Sequence, residues 1–271
     1  MLKKRVLSSI VGIALCIAAA YFDEPVPWFA FFIAAWGGLA VWEFCRITGV
    51  SSSRPLTAFT IICTVLFIML PQYVGVAGLP AMAAAAVIVP MLILILGGNQ
   101  VDAFRHWAWA VAGIFYVGLL MSLLVALRAE AGRDWIYLAV LTTFALDTSA
   151  YFTGRFWGRR RLAPKISPGK TWEGAVGGFC AAIAISLLLV WLLKMPLTWG
   201  QAALLGGLIG FFGQLGDLGE SMLKRHAGVK ESGFLVPGHG GLLDRMDSIV
   251  MAGVTAYMFW KMYAAGWLGW L

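Results

Sequence analysis

An all-α bundle of membrane-crossing helices is the fold class this sequence predicts, on three observations. First, 61% of the 271 residues are hydrophobic and only 12% are charged. A soluble domain is about 25% charged and about 45–50% apolar, so this excess cannot fit inside one aqueous core. Second, apolar runs of roughly 17–22 residues recur along the chain, each long enough to cross about 30 Å of hydrocarbon. Third, the charges crowd into a few short segments between those runs.

Nine spans are expected, at about 6–22, 26–44, 56–71, 79–97, 107–127, 135–153, 172–193, 199–219 and 248–268. The third is short, and the fourth is interrupted by Pro90. The N-terminal MLKKR before an apolar run resembles a signal peptide. No small-x-small cleavage site with a polar flank follows, so a retained first helix is expected. Cys16, Cys45, Cys63 and Cys180 lie in or beside apolar segments without metal-ligand spacing, and read as small hydrophobes. No repeat is evident, and no soluble stretch is large enough to fold alone. The expected organisation is residues 1–130 as about five transmembrane helices and residues 131–271 as a catalytic transmembrane region.

The basic residues orient the bundle. With the N-terminus in the cytoplasm and nine alternating spans, sixteen of the twenty Lys and Arg residues fall on the cytoplasmic side. Arg128, Arg133, Lys194 and Lys261 are the exceptions. The two longest polar segments, about 154–171 and 220–247, then share the cytoplasmic face. A formal charge of +7 fits this asymmetry and fits recruitment of anionic substrates or lipids. Nucleic acid is not an expected partner, because the basic residues lie between spans and no nucleic-acid module is visible.

Charge is costly in such a chain, so dense polar segments are where chemistry is sought. Asp217 follows a glycine-rich run, and Gln214, Asp217 and Ser221 share one helical face. The glycines let neighbouring helices approach closely. Asp244 and Asp247 stand three residues apart and share a face if the last helix has begun by then. Three carboxylates without His or Cys companions suit Mg²⁺, a hard cation that takes one or two carboxylates, waters and substrate phosphates. An ion-pair net with Arg245 and Lys224 is the alternative. The Pro237–Gly241 turn, with His239, Gly240 and Gly241, offers backbone N–H groups to phosphate oxygens. In the sixth span, Asp147, Tyr151 and Arg155 line one face. The following segment holds Ser167, Gly169, Lys170 and Thr171 as a turn before a helix start. It is not a P-loop, because Pro164 stands where glycine is required. Carboxylates, many cations and glycine turns beside hydrocarbon point to a reaction between a soluble nucleotide and a lipid phosphate.

At these residues the chain resembles the phosphatidate cytidylyltransferase (CDP-diacylglycerol synthase) family. Ser221, Lys224, Arg225, Lys230, Gly233, Leu235, His239, Gly240, Gly241, Asp244, Arg245 and Asp247 can be laid on that family's signature. Glu231 stands where the family has Asp. The segments DTSAYFTGR and PKISPGKTWEG also look like the family, and the likeness is strongest over about 147–248. The resemblance implies transfer of a cytidylyl group from CTP to phosphatidate with Mg²⁺, in phospholipid biosynthesis. It implies metal binding by Asp217, Asp244 and Asp247, and neutralisation of the triphosphate by Lys224, Arg225 and Lys230. His239, Gly240 and Gly241 would contact phosphate. Lys170, with Ser167 and Arg155, would hold CTP or the lipid head group, and Asp147, Ser221 and Arg245 would line the substrate site. A bacterial-type inner membrane location follows, with CTP, phosphatidate and membrane lipid as partners and a homodimer left open. Two rivals remain: a related CTP-dependent enzyme acting on another lipid phosphate or a polyprenol, and a cation-coupled transporter using Asp147 and Asp217. The one-sided charge and the lack of a repeat argue against the transporter.

Overall fold

The apolar runs of the sequence become helices in the computed structural model, which describes residues 2–98, 102–234 and 240–269, with backbone alone for 2–10. The helices are α1 (Leu2–Tyr21), α2 (Trp28–Thr48), α3 (Arg54–Val74), α4 (Leu79–Leu96) and α5 (Ala103–Ala131). They continue with α6 (Arg133–Trp157), α7 (Trp172–Leu192), α8 (Trp199–His226) and α9 (Asp247–Ala264). Six of them, α2, α3, α4 (counted from Val76), α5, α7 and α8, are long and apolar enough to cross a membrane. The architecture is therefore a largely helical, polytopic membrane bundle. The remaining predicted segments are helical too, but α6 and α9 carry more polar residues, and only Val11–Tyr21 of α1 is a described apolar stretch.

One departure from a purely helical fold is a small antiparallel hairpin, β1 (Arg161–Ala163) and β2 (Ser167–Thr171), pairing Arg161 with Thr171 and Ala163 with Ser167. It occupies the segment expected to be a turn. α8 also runs to His226, seven residues past its expected end, so Glu220, Ser221, Lys224 and Arg225 ride on a helix rather than a loop.

The chain divides into two compact units: residues 1–129 with 227–245, and residues 130–226 with 246–271. In the first unit, α2 starts after Pro27, and Asp23 Oδ1 accepts a hydrogen bond from the Phe29 N–H at 2.8 Å. That satisfies a donor the helix cannot use itself. Arg128, at the end of α5, lies 3.5 Å from Asp23 and donates to the Ala20 carbonyl, pinning the α1–α2 corner. Residues Ile114–Leu119 of α5 widen into a π-helical stretch. There Ile114 packs with Cys63, Phe67 and Ala86; earlier on the same helix, Trp109 meets Phe44 edge to face. Cys16, Cys45 and Cys63 are buried free thiols, whereas Cys180 is exposed on α7.

In the second unit, Thr171 caps α7: its hydroxyl accepts from the Gly174 N–H at 3.1 Å. Glu173, in the first turn, accepts from the backbone N–H groups of Arg159 and Arg160, at 3.0 and 3.2 Å. These bonds fix the hairpin on the start of α7. At the other end, Lys261 of α9 pairs with Glu130 at 2.6 Å.

Candidate active site

Each unit carries one polar constellation. In the second unit it begins on α8, where Asp217, Glu220 and Lys224 follow one another at i, i+3 and i+7 on one face. Lys170 on β2 reaches this face, with its Nζ 2.7 Å from Asp217 Oδ2. Lys224 Nζ lies 3.0 Å from Oε1 of Glu220, a fully buried carboxylate. Asp247 opens α9. The Ser248 N–H donates to its Oδ1 at 2.7 Å, and its carboxyl stands against that of Glu220 and within electrostatic range of Asp217. On α6, Asp147 is 3.4 Å from the Ser248 hydroxyl and in electrostatic range of Lys170, Asp217 and Asp247.

The close approach of α8 and α9 depends on Gly216. A Cβ at that position would run into the Asp247 carbonyl and Met251. The glycine thus brings Asp217 and Asp247 together by removing a side chain, not by adding a contact.

By formal charge, four carboxylates here face two ammonium groups, an excess of two. Among the described residues no group of three or more Asp, Glu, His or Cys side chains is arranged to hold a metal ion by itself. Mg²⁺ does not require one, because it commonly keeps waters and takes substrate phosphates alongside one or two carboxylates. The oxygen-only donors and their excess negative charge fit such a cation, with Asp217 and Asp247 as the acids that could hold it.

The other predicted residues of this unit sit around the cluster. Arg225 Nε donates to the Ile166 carbonyl at 3.2 Å, tying the end of α8 to the hairpin. Ser167 on β2 and Ser221 on α8 are half-buried. Arg155 is exposed, and its Nη1 donates to the Tyr151 hydroxyl at 3.2 Å. Gln214, which shares a face with Asp217 in the sequence, braces the helices instead. Its amide nitrogen donates to the carbonyls of Ala175 and Gly210.

In the first unit, Asp244 lies in a short 3₁₀ turn, Leu243–Arg245, that precedes α9. Asp244 and Asp247 therefore do not lie on one helical face, and they belong to different units. Asp244 Oδ2 accepts from the Ser232 N–H at 3.0 Å, the Ser232 hydroxyl at 3.0 Å and the Gly241 N–H at 2.8 Å. Glu43 of α2 joins them: its Oε2 accepts from the Leu243 N–H at 2.9 Å and lies 3.2 Å from the Ser232 hydroxyl. Trp36 Nε1 donates to the Leu242 carbonyl. Gly240 has φ +87° and is buried, as is Gly241, where a Cβ would strike Ser232 and Glu43. Lys230 and Arg245 are exposed. His239 lies outside the described residues.

Glu43 and Glu220 were not among the candidates read from the sequence. Both carried a signal. Glu43 is an acid inside the apolar run WFAFFIAAWGGLAVWEFC, and an ionisable residue inside a span is a functional candidate by default. Glu220 stands three residues after Asp217, on the same helical face.

Comparison with known proteins adds what the chain as a whole is similar to. The model of the family described as "Cytidylyltransferase family" matches residues 3–263. A phosphatidate cytidylyltransferase of Pseudomonas aeruginosa is 36% identical over 277 aligned residues, covering 98% of this chain and 99% of its own. One from Brucella abortus is 43% identical over 158 residues, 58% of each chain, so this chain spans somewhat over half the length of that relative. A chloroplastic one, phosphatidate cytidylyltransferase 5 of Arabidopsis thaliana, is 34% identical, over 82% of this chain and 62% of its own. A match running almost from end to end, over both the helices and the polar clusters they carry, means that the chain belongs to the cytidylyltransferase family.

Proposed function

We propose that this protein transfers the cytidylyl group of CTP to phosphatidate, giving CDP-diacylglycerol and pyrophosphate. The observation that carries the reading is the Lys170–Asp217 pair, set among Asp147, Glu220 and Asp247 and beside Lys224. Such a cluster suits a triphosphate and a divalent cation together. The near full-length likeness to a Pseudomonas aeruginosa phosphatidate cytidylyltransferase supports the choice of substrates.

In this reaction a phosphate oxygen of phosphatidate bonds to the α-phosphorus of CTP. The bond from that phosphorus to the α–β bridging oxygen breaks, and pyrophosphate leaves. The lipid phosphate is already anionic near neutral pH, so no strong general base is needed. Lys170 and Lys224 hold the triphosphate oxygens and neutralise charge on the departing pyrophosphate. Arg225 keeps the hairpin, and so Lys170, against α8. Ser167 and Arg155 contact the CTP or lipid phosphate, with Asp147 and Ser221 lining the site. Asp217 and Asp247 would hold Mg²⁺, which would supply neutralisation of the negative charge on the phosphate oxygens. Asp244 is a further candidate ligand, and Lys230, His239, Gly240, Gly241 and Arg245 serve phosphate binding. The nine helices cross a bacterial-type inner membrane with the N-terminus and both polar clusters on the cytoplasmic side.

The test uses purified protein in vesicles with labelled CTP, Mg²⁺ and phosphatidate. Label entering lipid, with equimolar pyrophosphate released, is the expected result. Label entering only when a polyprenol or an ether-lipid phosphate replaces phosphatidate would overturn the substrate. Accumulation of a solute in the vesicle lumen without lipid labelling would overturn the reaction.

A further inference from the structure

We infer that Glu43, on the second helix, is a positioning residue for the described polar residues 232–234 and 240–245. Three observations carry this. Glu43 is fully buried, in a helix whose neighbouring side chains are almost all apolar. Its Oε2 accepts from the Leu243 N–H at 2.9 Å and lies 3.2 Å from the Ser232 hydroxyl, so a single oxygen touches both of these stretches. Among the described residues its Oε1 has no hydrogen-bond partner. A leucine at this place would avoid the desolvation of a carboxylate and an unsatisfied oxygen. A position that served only to anchor the chain in lipid would have no use for that arrangement.

The glycines of the segment point the same way. Side chains at Gly233 and Gly241 would both collide with the Glu43 carboxylate, so the backbone passes directly over it. Ser232 links the two acids: its hydroxyl is 3.0 Å from Asp244 and 3.2 Å from Glu43. Glu43 thus fixes the floor on which Gly241, Leu243 and Asp244 rest. It touches no substrate in this scheme and acts through the segment it holds. The inference assigns the N-terminal helices a part in building the site, and its kinetic side rests on the cytidylyl-transfer reading.

The experiment compares wild type, Glu43→Ala, Glu43→Gln and Ser232→Ala in lipid nanodiscs. Wild-type activity is established first, so that failure of the functional reading is seen separately. Amide hydrogen exchange over residues 232–234 and 240–245 provides a readout that needs no activity. Glu43→Ala is expected to speed exchange across this segment while the amides of α7 and α8 stay protected. It is also expected to lower kcat about tenfold or more per folded molecule. Glu43→Gln keeps an acceptor in the same place, and is expected to restore much of the protection and of kcat. The Glu43→Ala/Ser232→Ala double variant is expected to lose little beyond the worse single variant, because both changes break one connected network. Unchanged exchange at 232–234 and 240–245 in Glu43→Ala would overturn the inference. So would losses in the double variant that multiply, or a Glu43→Gln variant as damaged as Glu43→Ala. Should Glu43→Ala fail to fold, Glu43→Gln and Ser232→Ala carry the same exchange and coupling comparison.

Discussion

Replacing Lys170 with alanine separates two roles that the Lys170–Asp217 pair combines. At 2.7 Å the gross attraction is about 6 kcal/mol for an effective dielectric near 20. The Lys170 and Asp217 side chains are 24% and 36% exposed, so water screens much of that attraction. The net worth of one charge-assisted hydrogen bond from Lys170 to a phosphate oxygen, about 1.5–3 kcal/mol, is the better guide. If Lys170 exchanges Asp217 for a phosphate oxygen when CTP binds, its loss lowers kcat/KM for CTP by about 10- to 100-fold. The Mg²⁺ dependence moves the other way. Asp217 would lose the ammonium that competes for its oxygen, while Asp147, Glu220 and Asp247 remain nearby. The half-saturating Mg²⁺ concentration is therefore expected to fall. Lys170→Arg keeps the charge in a bulkier fork and is expected to lie between the two. The assay is incorporation of labelled CTP into lipid, titrated separately with CTP and with Mg²⁺. An unchanged kcat/KM, or a raised Mg²⁺ requirement in Lys170→Ala, would refute the reasoning.

Three further outcomes are expected. Asp244→Ala leaves the Ser232 and Gly241 donors without their shared acceptor, costing about 2–4 kcal/mol of stability. It should lower both the unfolding temperature and lipid labelling, and full activity with unchanged Mg²⁺ dependence would remove Asp244 from the metal site. Gly216→Ala pushes a methyl group into the first turn of α9, costing about 1–3 kcal/mol and most of the activity. Gly219→Ala, in open space on the same helix, should fold at least as well as wild type, and equal behaviour of the two variants in a thermal-shift assay would count against the packing argument. The Asp23 carboxyl, outside the spans, is held above its usual value of 3.8 mainly by burial, against the opposing Phe29 N–H and Arg128. The folded state thus keeps that proton longer than the unfolded chain does. Its contribution to stability is present below about pH 4 and is lost as pH rises through the raised folded value. Asp23→Asn should flatten this slope in stability measured from about pH 3 to 6.

The helices were legible because lipid imposes a simple requirement. A run of about 20 apolar residues has few other structures available to it, so hydropathy located all the helical segments to within several residues. The ends were less legible, since α8 continues as a helix through Glu220, Lys224 and Arg225 into a region whose charge resembles a loop. The hairpin was invisible for a different reason. Ser167, Pro168, Gly169 and Lys170 have poor strand propensity, and the strand exists because Glu173 and Thr171 fix its surroundings. Asp217 and Asp247 could be named from spacing, but their relation to Glu220 could not, because the Gly216 contact that joins two helices is a tertiary fact. Glu43 was visible as an acid in an apolar run, but what it holds was not. Its partners lie 189 and 200 residues away, beyond any periodicity the sequence can display.

That separation also has a consequence in time. A ribosome adding about 5–20 residues per second needs roughly 10–40 s to pass from Glu43 to Leu243. Throughout that interval the second helix carries a carboxylate whose Leu243 and Ser232 partners have not yet been made. Until the distant segment arrives, the nascent protein must keep this acid hydrated or protonated.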